Sequence, residues 1–242
     1  MFDKIEARNK YIHLSPDKND RFNKSRLPLL VLSHGSGGVS DVDLDFAKIA
    51  CANGYECALM DHYTHRGLEY QLWDERDMSE ENWNPTFEDR AQDILDVLAD
   101  YETDTRLVFG ISAGATAALS CSKHFDKTFC VYPPLIAITS NMLQGKDITI
   151  VTGRDDDWTP LDQAERFKKY VECNLHVVDG YHGFLNPRQC KTVPHIMCLR
   201  NQKLDVPWDE SWMHLEFERG ITLQYNIRSR LYTEKLFTQW LN

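Results

Sequence analysis

The 242-residue sequence predicts an α/β fold, a mostly parallel twisted sheet with helices on both faces. Three observations predict it. Apolar, β-branched runs alternate with segments of helical period from residue 27 onward, and no internal repeat or low-complexity stretch breaks the alternation. The composition, 42% hydrophobic and 26% charged, is that of an ordinary globular protein, and the length suits a single domain spanning residues 1–242.

The elements follow in order. "LPLLVLSHG" (27–35) reads as a strand ending in glycine, and "VSDVDLDFAKIACANG" (39–54) as a helix stopped by Asn53-Gly54. "ECALMDHY" (56–63) is a second strand. Residues 64–85 have no clear period and read as a long loop, whereas 86–101 begin with a capping-type threonine and read as an amphipathic crossover helix. Next come strand 106–112, a small-residue helix 113–125, strands 128–133 and 147–153, helix 161–171, strand 175–180 and a closing helix 226–241. Residues 187–220 show no sustained period. Only thirteen residues, 134–146, separate two of the strands, which leaves no room for a helical cap domain.

Charge and composition exclude several classes. The net charge of −10 is dispersed, with no lysine- or arginine-rich stripe of the kind that holds phosphates, so no nucleic-acid partner is expected. The N-terminus lacks a signal-peptide core and no apolar run approaches 18 residues, so the expectation is a soluble, non-secreted, cytoplasmic protein with no membrane partner. Seven scattered cysteines without CxxC spacing read as reduced, structural thiols. His62 and His65, with Asp61 adjacent to His62, lack a further spaced ligand and read as a strand-end loop; neither a metal nor another cofactor is expected.

Ser112 carries the chemistry. It stands between glycines in Gly110-Ile111-Ser112-Ala113-Gly114, a G-x-S-x-G pattern at the carboxyl end of a strand and the start of a helix, where a tight turn exposes the hydroxyl. A serine hydroxyl needs a base, and of the nine histidines only His182, in "VVDGYHGF", directly follows a late strand. The orienting acid must come from Asp155, Asp156 or Asp157 in "TGRDDDWTP". Two backbone donors are needed for the oxyanion: the amide of Ala113 and, from the glycine-rich "SHGSGG" (33–38), that of Ser36. Trp73, Trp83 and Trp158 are candidates for the pocket rim.

HGSGG, GISAG, GRDDDWTP and YHGF, in that order, resemble the α/β-hydrolase superfamily and, more narrowly, the dienelactone hydrolase family. The resemblance covers residues 27–186 firmly and implies a compact α/β-hydrolase fold without a cap. "LQYNIRSRLYTEKLFTQWL" (223–241) is similar to the family's closing helix. The name-giving enzymes carry cysteine where this chain has Ser112. The family's spacing, an acid three residues after a strand-ending glycine and four before a proline, selects Asp156 from Gly153 and Pro160. Residues and resemblance together imply a serine hydrolase that cleaves a small soluble carboxylic ester or thioester through an acyl-enzyme. An acyltransferase or small serine peptidase on the same triad, or a non-catalytic binding protein on the same scaffold, is the alternative. Oligomeric state is not legible.

Overall fold

Two short strands that the apolar pattern does not announce open the chain: β1 (Lys4–Ala7) and β2 (Tyr11–Ser15) pair antiparallel. The computed structural model describes residues 4–8, 10–16, 27–68, 85–135, 141–198 and 218–242. The elements that the sequence does predict then appear with ends trimmed or, in the strands expected over 128–133 and 175–180, shifted toward the N-terminus by one or two residues. They are β3 (Leu29–Ser33), α1 (Asp41–Ala52), β4 (Glu56–Met60), α2 (Phe87–Val97), β5 (Arg106–Ile111), α3 (Ala113–Ser120), β6 (Lys127–Val131), β7 (Ile148–Gly153), α4 (Leu161–Tyr170) and β8 (Cys173–Val178). The helix expected over 113–125 stops at Ser120 and continues as a 3-10 turn, Ser122–His124. The one expected over 86–101 ends likewise, in Leu98–Asp100.

The stretch 187–220, which has no readable period, contains β9 (Cys190–Cys198), paired antiparallel with β10 (Glu218–Gln224) as a two-stranded ribbon. The closing helix is α5 (Ile227–Leu241). In the long loop, Thr64–Arg66 form a 3-10 turn; residues 69–84, with Trp73 and Trp83, lie outside the described residues. Between β6 and β7 the described residues hold one 3-10 turn, Met142–Gln144, and no cap helix. Among the described residues no helix is long and apolar enough to cross a membrane.

Among the described residues the main sheet has eight strands in the order β1-β2-β4-β3-β5-β6-β7-β8, parallel from β4 to β8. From β3 the chain runs out to β4 and returns on the other side to β5. That reversal opens a crevice at the carboxyl ends of β3 and β5, where Ser33 pairs with Gly110. Alternate residues of each strand feed two cores. Val31, Val108 and Ile150 pack with Ile94 of α2, Leu119 of α3 and Phe167 of α4. Leu30, Leu32 and Phe109 face the other way, against Phe46 of α1 and Phe237 and Trp240 of α5. There Phe46 stacks on Phe109 at 4.6 Å while Phe237 meets it edge-on at 5.1 Å. Each such fully buried ring contributes roughly 1.5–3 kcal/mol of burial energy.

Candidate active site

The turn from β5 into α3 puts Ser112 at the bottom of the crevice with φ 51° and ψ −120°, a backbone conformation that costs a non-glycine residue about 1–3 kcal/mol. Its flanking glycines are required by close approach. A Cβ on Gly110 would lie 2.4 Å from the Gly114 carbonyl oxygen, and one on Gly114 only 2.1 Å from that of Ser33. The strain is held from both sides. The Ser112 N–H donates to the Val131 carbonyl at 2.9 Å, and the Ser112 carbonyl accepts the Ala115 N–H at 2.8 Å.

His182 follows β8, and its carbonyl accepts the Gln224 N–H at 3.1 Å, so β10 fastens the loop on which it stands. Its Nε2 is 3.1 Å from Ser112 Oγ and its Nδ1 is 2.9 Å from Asp156 Oδ2. Asp156 follows β7 and is fully engaged. One oxygen accepts the N–H groups of Trp158 and Thr159, at 3.0 and 2.7 Å; the other accepts the Thr159 hydroxyl at 2.8 Å besides the imidazole. A carboxylate facing Nδ1 places the ring proton there. The Nε2 lone pair then points at the serine hydroxyl, as proton abstraction needs. Tyr132 and Trp158 flank the imidazole, with ring centroids 4.4 and 4.7 Å away.

A cleft of about 620 Å³ opens over this group, lined on one side by the loop Gly35–Gly38 and on the other by Trp158, Gly183 and Leu223. The loop lies against the serine: a Cβ on Gly35 would be 3.5 Å from Ser112 Cβ. Ser36 lines the cleft and Ala113 is buried directly behind Ser112. Thus Ser112, His182 and Ser36 line one cleft, Asp156 bonds His182, and Ala113 directly follows Ser112.

Asp155 and Asp157 face elsewhere. The N–H of Asp155 donates to the Gly180 carbonyl, and the Asp157 carboxylate accepts the Thr222 N–H of β10. Sequence reasoning did not single out Thr159, which bonds Asp156 and stands 3.2 Å from His182 Nδ1. Its signal was available, since an aspartate followed by a hydroxyl residue three positions on is a common side-chain-capped turn. Asp61, His62 and His65 form no metal arrangement. The Asp61 carboxylate caps Tyr63 and Thr64, while His62 turns to Ser33 and Asp93. No group of three or more potential ligands is found among the described residues.

No family model and no curated protein sequence matches the chain. Its likeness is to solved structures. A dienelactone hydrolase-like promiscuous phosphotriesterase from metagenomic libraries is 12% identical, with a TM-score of 0.66 over 100% of this chain and 97% of that one. A putative dienelactone hydrolase from Klebsiella pneumoniae is 13% identical, with a TM-score of 0.63 over 96% and 91% of the two chains. Est1E from Butyrivibrio proteoclasticus is 14% identical, with a TM-score of 0.53 over 75% and 89%. Strand order, helices on both faces and these structural neighbours agree: the chain has the α/β-hydrolase fold, in a form similar to that of dienelactone hydrolase-like proteins.

Proposed function

We propose that the protein is a serine hydrolase acting on a small carboxylic ester or thioester. The observation that carries this reading is the unbroken Asp156–His182–Ser112 hydrogen-bond chain, at 2.9 and 3.1 Å, opening on a cleft. Ser112 Oγ attacks the carbonyl carbon while His182 Nε2 takes its proton. The amides of Ser36 and Ala113 hold the oxyanion, and His182 returns the proton to the leaving oxygen or sulfur. Water activated by the same imidazole then cleaves the acyl-enzyme, releasing the acid and restoring Ser112. Asp156 keeps the imidazole tautomer and stabilises the imidazolium. The solved hydrolases of the same fold favour the reading. So does the half-apolar wall of Ile111, Tyr132, Trp158 and Leu223, which suits an uncharged acyl or alkoxy group. A cytoplasmic setting is part of the proposal, in keeping with seven scattered cysteines without CxxC spacing.

The test is labelling with a fluorophosphonate followed by peptide mapping, alongside hydrolysis of p-nitrophenyl acetate and butyrate. Label on the 107–120 segment at Ser112, lost together with ester turnover in Ser112→Ala, is the expected result. An unlabelled wild-type protein without ester turnover overturns the reading.

A further inference from the structure

Three consecutive carbonyls of the loop beside Ser112 are each held from behind. The His34 carbonyl accepts Arg90 Nη1 at 3.1 Å. The Gly35 carbonyl accepts His34 Nδ1–H at 2.6 Å and the Gly38 N–H at 3.2 Å. The Ser36 carbonyl accepts the Tyr63 hydroxyl at 2.7 Å, and that hydroxyl in turn accepts Arg90 Nη2 at 2.9 Å. Arg90 and Tyr63 are both fully buried, and the guanidinium lies over the Tyr63 ring at 5.3 Å.

A second chain backs the first. His62 Nδ1 faces Asp93 at 2.9 Å and its Nε2 accepts the Ser33 hydroxyl at 2.9 Å, while the His62 N–H donates to His34 Nε2 at 3.3 Å. The last contact fixes the His34 tautomer with its proton on Nδ1, aimed at Gly35. Burial, helped by the Arg90 charge, holds the His34 pKa well below the usual histidine value, so the ring stays in this donor-acceptor form.

In a trans peptide the C=O and N–H of one amide point in opposite directions. Pinning the Gly35 carbonyl toward His34 therefore turns the N–H of the same peptide, that of Ser36, the other way. The bonds to the His34 and Ser36 carbonyls lock the peptides on either side. A loop with three glycines in four positions, Gly35, Gly37 and Gly38 around Ser36, has no intrinsic preference for this arrangement. The buried donors supply it.

We propose that Arg90, Tyr63 and His34 are positioning residues that pre-set the Ser36 amide for the oxyanion, with Arg90 serving two of the three carbonyls, one directly and one through Tyr63. This rests on the serine-hydrolase reading given above. The arrangement explains why a guanidinium is buried against these two groups: its five N–H donors can serve a carbonyl and a phenol at once, which a lysine ammonium on a flexible stem does not do in the same geometry.

The experiment compares wild type with Tyr63→Phe and Arg90→Lys on an oxygen ester and its thionoester, whose C=S sulfur fits an oxyanion site poorly. Thermal melts and fluorophosphonate titration give the folded, labelled fraction. For Tyr63→Phe the expected result is kcat on the oxygen ester down about 10- to 100-fold, somewhat less than the loss of a whole oxyanion donor. KM should stay within about 2-fold and the acid limb of the pH profile should not move, because His182 is untouched. The oxo/thiono rate ratio should collapse toward unity. Arg90→Lys, which keeps the charge but not the fork, should show the same collapse; if it does not fold, Tyr63→Phe decides alone. A folded Tyr63→Phe with wild-type kcat and an unchanged oxo/thiono ratio overturns the positioning proposal while leaving the hydrolase intact. A wild-type protein without any ester turnover overturns both.

Discussion

The carboxylate of Asp157 accepts the backbone N–H of Thr222, at 2.9 Å to one oxygen and 3.2 Å to the other. One residue earlier, Asp156 holds His182; one residue later in β10, Leu223 bridges to His182. β10 is thus tied both to the turn that carries the candidate acid and to the loop that carries the candidate base. Removing the tie while sparing the acid separates positioning from chemistry. Asp157→Asn keeps an acceptor for Thr222 and should retain nearly full activity. Asp157→Ala removes it and should lower kcat on p-nitrophenyl acetate by about tenfold, since small misplacements near a reacting group are costly. Equal activity of the two variants would show that β10 does not hold the His182 loop.

Among the three aspartates the large effect belongs to Asp156. All its lone pairs toward the turn are used, and the remaining contact is to His182 Nδ1. An amide there presents a donor or the wrong tautomer, so Asp156→Asn should cut kcat about 10⁴-fold at neutral pH, as the same swap does in a serine protease. Asp155→Asn, whose side chain is exposed, should be neutral. Steady-state kinetics of the three variants at pH 7 give the ranking; a crippled Asp155→Asn beside an active Asp156→Asn would displace the acid by one residue.

The elbow glycines make a steric prediction. A Cβ at either position would meet backbone, which has no rotamer to yield: 2.4 Å for Gly110 and 2.1 Å for Gly114. Gly110→Ala and Gly114→Ala should each cost roughly 3 kcal/mol or more, in the range reserved for severe core disruption. For a chain of this length that is a fall in Tm of about 6–12 °C, read by thermal melts. Gly35→Ala meets only ordinary contacts near 3.5 Å and should fold like wild type. A Gly114→Ala protein that melts with wild type would contradict the close packing of α3 on β3.

What was legible in the sequence has local causes. Ser112, the aspartates 155–157 and His182 each follow a strand, and those strands are buried apolar runs, so period and order suffice to place them, while the choice of Asp156 among the three rests on the spacing of the family the chain resembles. Arg90 was invisible as a functional residue. In "TFEDRAQDILDV" it reads as one more helical charge, and only the fold lays α2 beneath the 34–36 carbonyls. β9 contains Pro194, which argues against a strand by sequence. β10 carries an irregularity between Arg219 and Ile221, where Gly220 takes φ 98°, and this breaks its alternation. β1 and β2 are short and lie at the sheet edge, paired by backbone bonds that composition does not report.

Asp43 gives the protein a pH dependence that can be isolated. It stands in the first turn of α1, where one oxygen accepts the N–H and hydroxyl of Ser40, at 2.8 and 2.6 Å. Its other oxygen is buried and has no hydrogen-bond partner among the described residues. Burial pushes its pKa up to about 6, against which the Ser40 bonds work only in part. The groups around it do not compensate. Arg188 and Arg230 line the same cleft but are engaged with Asp41 and Asp45, and Tyr132, from the end of β6, offers no positive charge. A carboxyl whose folded pKa is raised contributes stability that is full below its unfolded pKa, near 4, and is lost as pH rises through about 6. A tenfold change in proton affinity is worth about 1.4 kcal/mol, so the ionised, buried carboxylate should cost up to about 3 kcal/mol at pH 8 relative to pH 4. Asp43→Asn keeps an oxygen for Ser40 and cannot ionise. Urea unfolding at pH 4.5 and pH 8 should show the variant gaining on wild type by about 2 kcal/mol between the two conditions, in the direction of higher pH. A variant whose stability difference from wild type is the same at both pH values would mean that Asp43 ionises in the folded protein as readily as in the unfolded chain.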